Sequence, residues 1–158
     1  MKPNLQRMLQ LIDEVFATRS DPDQLQVTPQ QQKKLQAIHP ATLTERADKD
    51  GPYIWVLMIP TSSRVMNDFI SGKISESRLL QNTSAGEEYD TIYLCSVTTL
   101  PEYRGRGETK QACLEAIRKI SADHPVHTLF VWPFTGPGDG LAHALAKETG
   151  LRLLKREA

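Results

Sequence analysis

Two arginines alternate with two glycines in the segment Arg104–Thr109, and this arrangement is suited to holding a phosphate group. Glycine lets the backbone turn tightly and approach a ligand with no Cβ in the way. The run from Gly107 to Ile120 predicts a helix, because apolar residues recur on one face at helical spacing. A helix that begins behind a glycine turn offers free N–H groups and the positive end of its dipole to an anion. The segment therefore predicts a phosphate-binding loop, and Arg104 and Arg106 add positive charge to it.

A strand is predicted directly before this loop, over residues 90–99, from its β-branched and apolar residues. Hydrophobic periodicity and turn residues place the other elements. We expect helices at 4–18, 29–38 and 139–149, a helical segment at 61–82, and strands at 42–47, 53–59, 128–134 and 151–155. Breaks are expected at Ser20–Asp23 and in the tight loop Thr135–Gly138, with Thr28, Thr61 and Asp139 as helix caps. This order predicts an α/β or α+β fold with a central mixed sheet.

Length and composition indicate one soluble domain over residues 1–158, with no repeat or inter-domain linker. Lys and Arg together number 19, as do Asp and Glu, so no net field attracts a polyanion and nucleic-acid binding is disfavoured. The longest apolar run, Tyr53–Pro60, is too short to span a bilayer, and no signal-peptide core is seen, so we expect a cytoplasmic protein without a membrane partner. Cys95 and Cys113 are expected in the core, and no metal-ligand spacing is present.

The loop segment resembles the coenzyme-A motif of the GNAT superfamily, the N-acyltransferases that use acyl-CoA. That motif reads Arg/Gln-x-x-Gly-x-Gly/Ala after a long strand and a proline. Here Arg104, Gly107 and Thr109 take the marked positions, and Pro101 stands just ahead. The resemblance implies a GNAT-like central mixed sheet flanked by helices, with a helical insertion at about 61–82 where the superfamily usually has a short hairpin. The inserted residues would form either a lid or pocket wall for the acceptor, or a cover over the sheet.

The resemblance also implies acetyl-CoA as cosubstrate and a set of residues that hold it. Its pantetheine arm would lie along the strand at 90–99, which would carry a bulge, and bond to the backbone of Val97, Thr98, Thr99 and Leu100. Its phosphates would lie on Arg104, Gly105, Arg106, Gly107, Glu108 and Thr109. Asp139 takes the place of an asparagine that often binds the cofactor.

The resemblance implies that an acceptor amine attacks bound acetyl-CoA directly in a ternary complex. The leaving thiolate commonly takes its proton from a tyrosine near the end of the last long helix, and Ala146 stands at that position here. His143, one turn earlier, and Tyr93, in the strand, are therefore the candidate catalytic residues. The acceptor would be a small-molecule or peptide amine, and the sequence leaves a homodimer open.

Two other functions remain open at this stage. A catalytically silent acyl-CoA-binding or regulatory module would use the same loop, and Ala146 favours it because the usual proton donor is missing. An RNA-binding protein would use Arg104 and Arg106, but no stacking aromatics accompany them and the net charge is zero.

Overall fold

The computed structural model describes residues 3–19, 29–132 and 136–156, which contain six α-helices and five strands. In chain order they are α1 (Pro3–Arg19), α2 (Pro29–Ile38), β1 (Leu43–Asp48), β2 (Gly51–Thr61), α3 (Ser63–Ile70), α4 (Glu76–Gln81), β3 (Thr91–Thr99), α5 (Glu108–Asp123), β4 (Thr128–Val131), α6 (Gly136–Thr149) and β5 (Arg152–Lys155). Short 3-10 turns at Pro40–Thr42 and Pro101–Tyr103 precede β1 and follow β3.

The five strands form one mixed sheet in the order β1-β2-β3-β4-β5. The first three strands are antiparallel, and β3, β4 and β5 run parallel. Each parallel pair is joined through a helix, α5 or α6, as parallel neighbours require. The mixed sheet predicted from the sequence is therefore confirmed.

Helices cover both faces of the sheet, each with its own hydrophobic core. Alternate strand residues point to opposite faces, so Ile92 packs with α1, α5 and α6, whereas Tyr93 packs with α2, α3 and α4. The first core includes Met8, Ile54, Val56, Cys113, Ile117, Leu129 and Leu145. The second includes Leu35, Ile59, Phe69, Leu79, Tyr93, Phe130 and Trp132. This layout, a mixed sheet flanked by helices, is the one that the resemblance implies.

The inserted segment 61–82 forms α3 and α4 and packs on the second face of the sheet. Ser62 caps α3, with its Oγ accepting from the Val65 N–H at 3.2 Å, so the prediction of Thr61 as the cap is wrong by one residue. Thr61 instead ends β2, paired with Thr91. Phe69 is fully buried against Tyr93. The segment therefore covers this face of the sheet, and a part in an acceptor pocket stays a prediction.

The start of α6 also differs from the sequence prediction. The helix begins at Gly136, so Asp139 lies inside its first turn and is not the cap, and the residues from 136 onward are helical where a tight loop was expected. Pro137 suits this start, because the first turn of a helix needs no N–H bond from it, and a carboxylate there is favoured by the helix dipole. The expected break at 20–23, the Thr28 cap and the strand end at 133–134 lie outside the described residues.

Ser75 is the cap of α4, and its loss should destabilise the cover over the sheet. Its Oγ accepts from the Arg78 N–H at 3.2 Å. Replacing a capping serine by alanine typically costs about 1 kcal/mol, so Ser75→Ala should lower the free energy of unfolding in urea by about that amount. Ser77→Ala, inside the same helix, keeps the cap and is the control. Equal stabilities of the two variants would contradict the capping role.

Candidate active site

The loop between β3 and α5 turns on two glycines with left-handed backbone. Gly105 has φ +78° and Gly107, the cap residue of α5, has φ +76°. A residue with a Cβ pays about 1–2 kcal/mol in this conformation. The alternation of glycine with Arg104 and Arg106 thus lets the chain turn twice while it carries two cationic side chains. The four residues of this turn are all exposed.

The loop and the first turn of α5 present a row of open backbone N–H groups. The helical ladder of α5 begins with the Gln111 N–H, which donates to the Gly107 carbonyl at 3.0 Å. Within the part of the chain that the structure describes, the N–H groups from Gly105 to Lys110 have no backbone or side-chain acceptor. Such a row at the positive end of a helix is suited in chemistry to an anion.

The side chains around the loop leave this row open. Arg104 Nε donates to the Thr99 carbonyl at 3.1 Å, which fixes the loop to the end of β3. Thr109 Oγ1 lies 2.9 Å from Thr99 Oγ1. The Glu108 carboxylate accepts from the Tyr53 hydroxyl at 2.5 Å, and this hydrogen bond raises the pKa of Tyr53.

Beyond the loop, the sheet opens between β3 and β4. The two strands pair only over four residues, from Thr91–Leu94 on β3 and Thr128–Val131 on β4. β3 continues to Thr99, paired with β2 alone among the described residues. Among the described residues, one edge of the last five residues of β3 therefore has no strand partner. This open edge lies next to the Arg104–Thr109 loop.

A β-bulge marks the point at which β3 leaves β4. Leu57 pairs with Ser96, whereas the next residue, Met58, pairs with Leu94, so Cys95 is the extra residue. A bulge increases the local twist and bends the strand. The bulge expected in this strand is thus observed, and it lies one residue after the last pair with β4.

Backbone directions along the open edge separate the four predicted pantetheine contacts into two pairs. The Leu100 N–H donates to the Tyr53 carbonyl at 3.0 Å, toward β2. Because backbone groups alternate in direction along an antiparallel strand, Thr98 also faces β2, and Val97 and Thr99 face the open edge. The Arg104 contact to the Thr99 carbonyl agrees with this assignment. The N–H groups of Leu100 and Thr98 are thus directed toward β2, and those of Val97 and Thr99 toward the opening.

Tyr93, one of the two candidate catalytic residues, lies on the second face of the sheet, beside the bulge. Its ring stacks on Phe130 at 5.1 Å between centroids, and its hydroxyl donates to Oε2 of Glu76. The Cys95 thiol lies 3.8 Å from the same oxygen. Glu76 is only 1% exposed and was not singled out from the sequence. The available signal was its spacing, three and four residues before Leu79 and Leu80, which places it on the buried side of α4.

His143, the other candidate, is not brought together with Tyr93. It lies on α6, which packs on the first face of the sheet, and its side chain is 59% exposed and 3.7 Å from Asp139. Asp139 also bonds to Lys155 at 2.5 Å, which lowers the pKa of its carboxyl group. Ala146 packs against the first core and presents no polar atom.

Within the described ranges, neither a metal-binding cluster nor a membrane-spanning helix is present. No group of three or more His, Cys, Asp or Glu side chains is placed to hold a metal ion. None of the described helices is long and apolar enough to cross a membrane.

Comparison with known proteins gives one structural likeness. No protein-family profile matches the chain, and no curated protein matches it. Among solved structures, the chain is similar to one described as "Putative acetyltransferase from Agrobacterium tumefaciens str. C58". The two are 18% identical, the match covers 95% of this chain and 85% of that chain, and the TM-score is 0.43.

Proposed function

We propose that this chain is an N-acyltransferase of the GNAT type, which transfers acetyl from acetyl-CoA to an amine acceptor. The observation that carries the proposal is the row of open N–H groups from Gly105 to Lys110 beside an open strand edge. A diphosphate fits the row, because helix N-termini and exposed amides bind phosphate oxygens. An extended pantetheine arm fits the edge, because its amides can pair with β3 as an added strand would.

The residues of β3 then take defined roles in the transfer. Acetyl-CoA supplies the acyl group in activated form, as a thioester. The N–H groups of Val97 and Thr99 face the opening, so one pairs with the pantetheine arm and the other donates to the carbonyl oxygen that becomes negative during attack. A preorganised donor of this kind is worth about 3–4 kcal/mol of barrier. Arg104 and Arg106 add charge complementary to the phosphates.

A catalytically silent acyl-CoA-binding module is the second candidate. It would use the same loop and edge and would lack turnover. The observation in its favour is the position of Ala146 against the first core, together with the exposed His143 on a face away from Tyr93. Under this alternative, binding of acetyl-CoA would release no CoA with any amine.

A thermal-shift titration tests the binding step common to both candidates. Acetyl-CoA at 100 times its dissociation constant should stabilise the protein by about 2.7 kcal/mol and raise its Tm. Pantetheine alone, which lacks the diphosphate, is the control and should give a much smaller shift. No rise in Tm with millimolar acetyl-CoA would contradict the proposal. Release of free thiol in the presence of a panel of amines then separates the enzyme from the silent module.

A further inference from the structure

The last carbonyl group of β3 belongs to the open edge of the sheet. The Leu100 N–H donates to the Tyr53 carbonyl at 3.0 Å, toward β2. The peptide bond between Thr99 and Leu100 is trans, and in a trans peptide the C=O and the N–H that follows it point in opposite directions. The Thr99 carbonyl therefore points away from β2, into the opening between β3 and β4.

This carbonyl already has a hydrogen-bond donor, which is the first arginine of the loop. Arg104 Nε donates to the Thr99 oxygen at 3.1 Å. Thr99 is only 7% exposed, and a buried backbone carbonyl needs a hydrogen-bond partner. Because no described strand pairs with this side of β3 beyond Leu94, a side chain supplies the bond. Arg104 thus takes the place that an N–H of an added strand would take at the end of the edge.

The contact of Arg104 with the edge competes with the pantetheine arm in the binding mode proposed above. An arm that pairs with β3 as an added strand uses the carbonyl groups of the edge as well as its N–H groups. The Thr99 carbonyl lies at the end of β3 that leads into the loop, so an arm that extends from a diphosphate on the loop reaches this carbonyl early. The guanidinium therefore has to leave the Thr99 carbonyl before the arm can pair with it.

We infer that Arg104 is a specificity-determining residue, which closes the end of the open edge until a diphosphate draws its guanidinium away. The inference rests on the proposed acyltransferase function and names the class of donor selected, thioesters whose pantetheine arm carries a diphosphate. Hydrogen bonds between a guanidinium and a phosphate join two charged groups and are stronger than the bond to a neutral carbonyl. An arm without a diphosphate has to displace Arg104 and offers it no stronger partner.

The rest of the Arg104 guanidinium is available for a phosphate. The side chain is exposed, and within the part of the chain that the structure describes it forms no ion pair with a carboxylate. The row of open N–H groups begins at the next residue, Gly105. Arg106 makes a different contact, because its guanidinium lies over the Tyr103 ring at 5.3 Å from the centroid. The two arginines carry the same charge on the same loop and differ in their contact with the edge, so Arg106 provides the matched control.

Calorimetric titration with S-acetyl-pantetheine, which has the arm and the thioester but no phosphate, tests the inference. Arg104→Ala should bind this compound about 10-fold more tightly than the native protein does, because a charge-assisted hydrogen bond no longer has to be broken. Arg106→Ala should keep the native affinity for it. Both variants should bind ADP, which supplies the diphosphate without the arm, more weakly. Saturating ADP should raise the affinity of the native protein for S-acetyl-pantetheine about 10-fold, and this coupling should be absent from Arg104→Ala.

The outcomes separate the inference from the proposed function. If Arg104→Ala binds S-acetyl-pantetheine no better than the native protein does, or if Arg106→Ala gains as much affinity, the inference is overturned. The same holds if the coupling with ADP survives in Arg104→Ala. The acyltransferase proposal stands in each of these cases as long as the native protein binds acetyl-CoA, and absence of that binding overturns both. An Arg104 that only braces the loop predicts the opposite sign, a loss of affinity for S-acetyl-pantetheine in Arg104→Ala.

Discussion

Replacing Gly107 by glutamate is expected to weaken the binding of acetyl-CoA about 1,000-fold, which corresponds to about 4 kcal/mol. Gly107 is the cap residue of α5 and has φ +76°, so any side chain there strains the backbone by about 1–2 kcal/mol. A carboxylate at this position also occupies the positive end of α5, where the phosphates would lie. Calorimetric titration of acetyl-CoA into the native and variant proteins measures the change directly.

Gly86→Glu is the matched control for this experiment. Gly86 has φ +82°, is exposed, and, like Gly107, has no atom within 4 Å of an added Cβ. The two substitutions therefore introduce the same backbone strain and the same charge. Gly86, however, lies before β3, whereas the Arg104–Thr109 loop lies after β3. Gly86→Glu should lose stability and keep native affinity. If Gly107→Glu binds acetyl-CoA as well as Gly86→Glu does, the loop is not the phosphate site.

The loop and the helix behind it were predictable because local rules determine them. Glycine permits positive φ, and the spacing of apolar residues determines which side of a helix is buried, so the Arg104–Thr109 segment and α5 could be assigned without knowing their neighbours. The bounds of α2, Pro29–Ile38, agree with the prediction for the same reason. The start of α6 differs from the prediction because Asp139 suits both a cap and a first turn, and glycine and proline at 136 and 137 are typical of a loop.

The pairing of Glu76 with Tyr93 and Cys95 could not be predicted in the same way. These residues are 17 and 19 positions apart, and their contact depends on how α3 and α4 fold back over the sheet. Helix spacing indicates only that Glu76 lies on the buried side of α4. It does not indicate which side chain forms a hydrogen bond with the carboxylate. The position of Cys95 at the opening also depends on the β-bulge, which the sequence does not place at this residue.

The separation of His143 from Tyr93 follows from topology. Right-handed crossovers between adjacent parallel strands place their helices on the same face, so α5 and α6 share the face of Ile92. Strand alternation sends Tyr93 to the opposite face. The proximity of the two residues to one substrate could be judged only once the strand order β3-β4-β5 was known.

Replacing Val97 by proline should lower kcat/KM about 100–1,000-fold with little loss of stability. The Val97 N–H faces the opening between β3 and β4, and proline removes that donor, whose expected worth in acyl transfer is about 3–4 kcal/mol. The ladder to β2 should survive, because proline is tolerated where a strand's N–H faces away from its partner. The side chain is already 39% exposed, so its loss leaves no buried cavity.

Thr98→Pro is the matched control and should lose stability, in contrast to Val97→Pro, because the Thr98 N–H faces β2. Removing a hydrogen bond inside the ladder should cost about 1–3 kcal/mol of stability, which urea unfolding would show for this variant and not for Val97→Pro. Steady-state kinetics on folded Val97→Pro then report on the open edge alone. Native kcat/KM in that variant would exclude Val97 as the donor to the thioester. Thr99 would remain as the one other N–H directed into the opening along this part of β3, and Thr99→Pro would test it in the same assay.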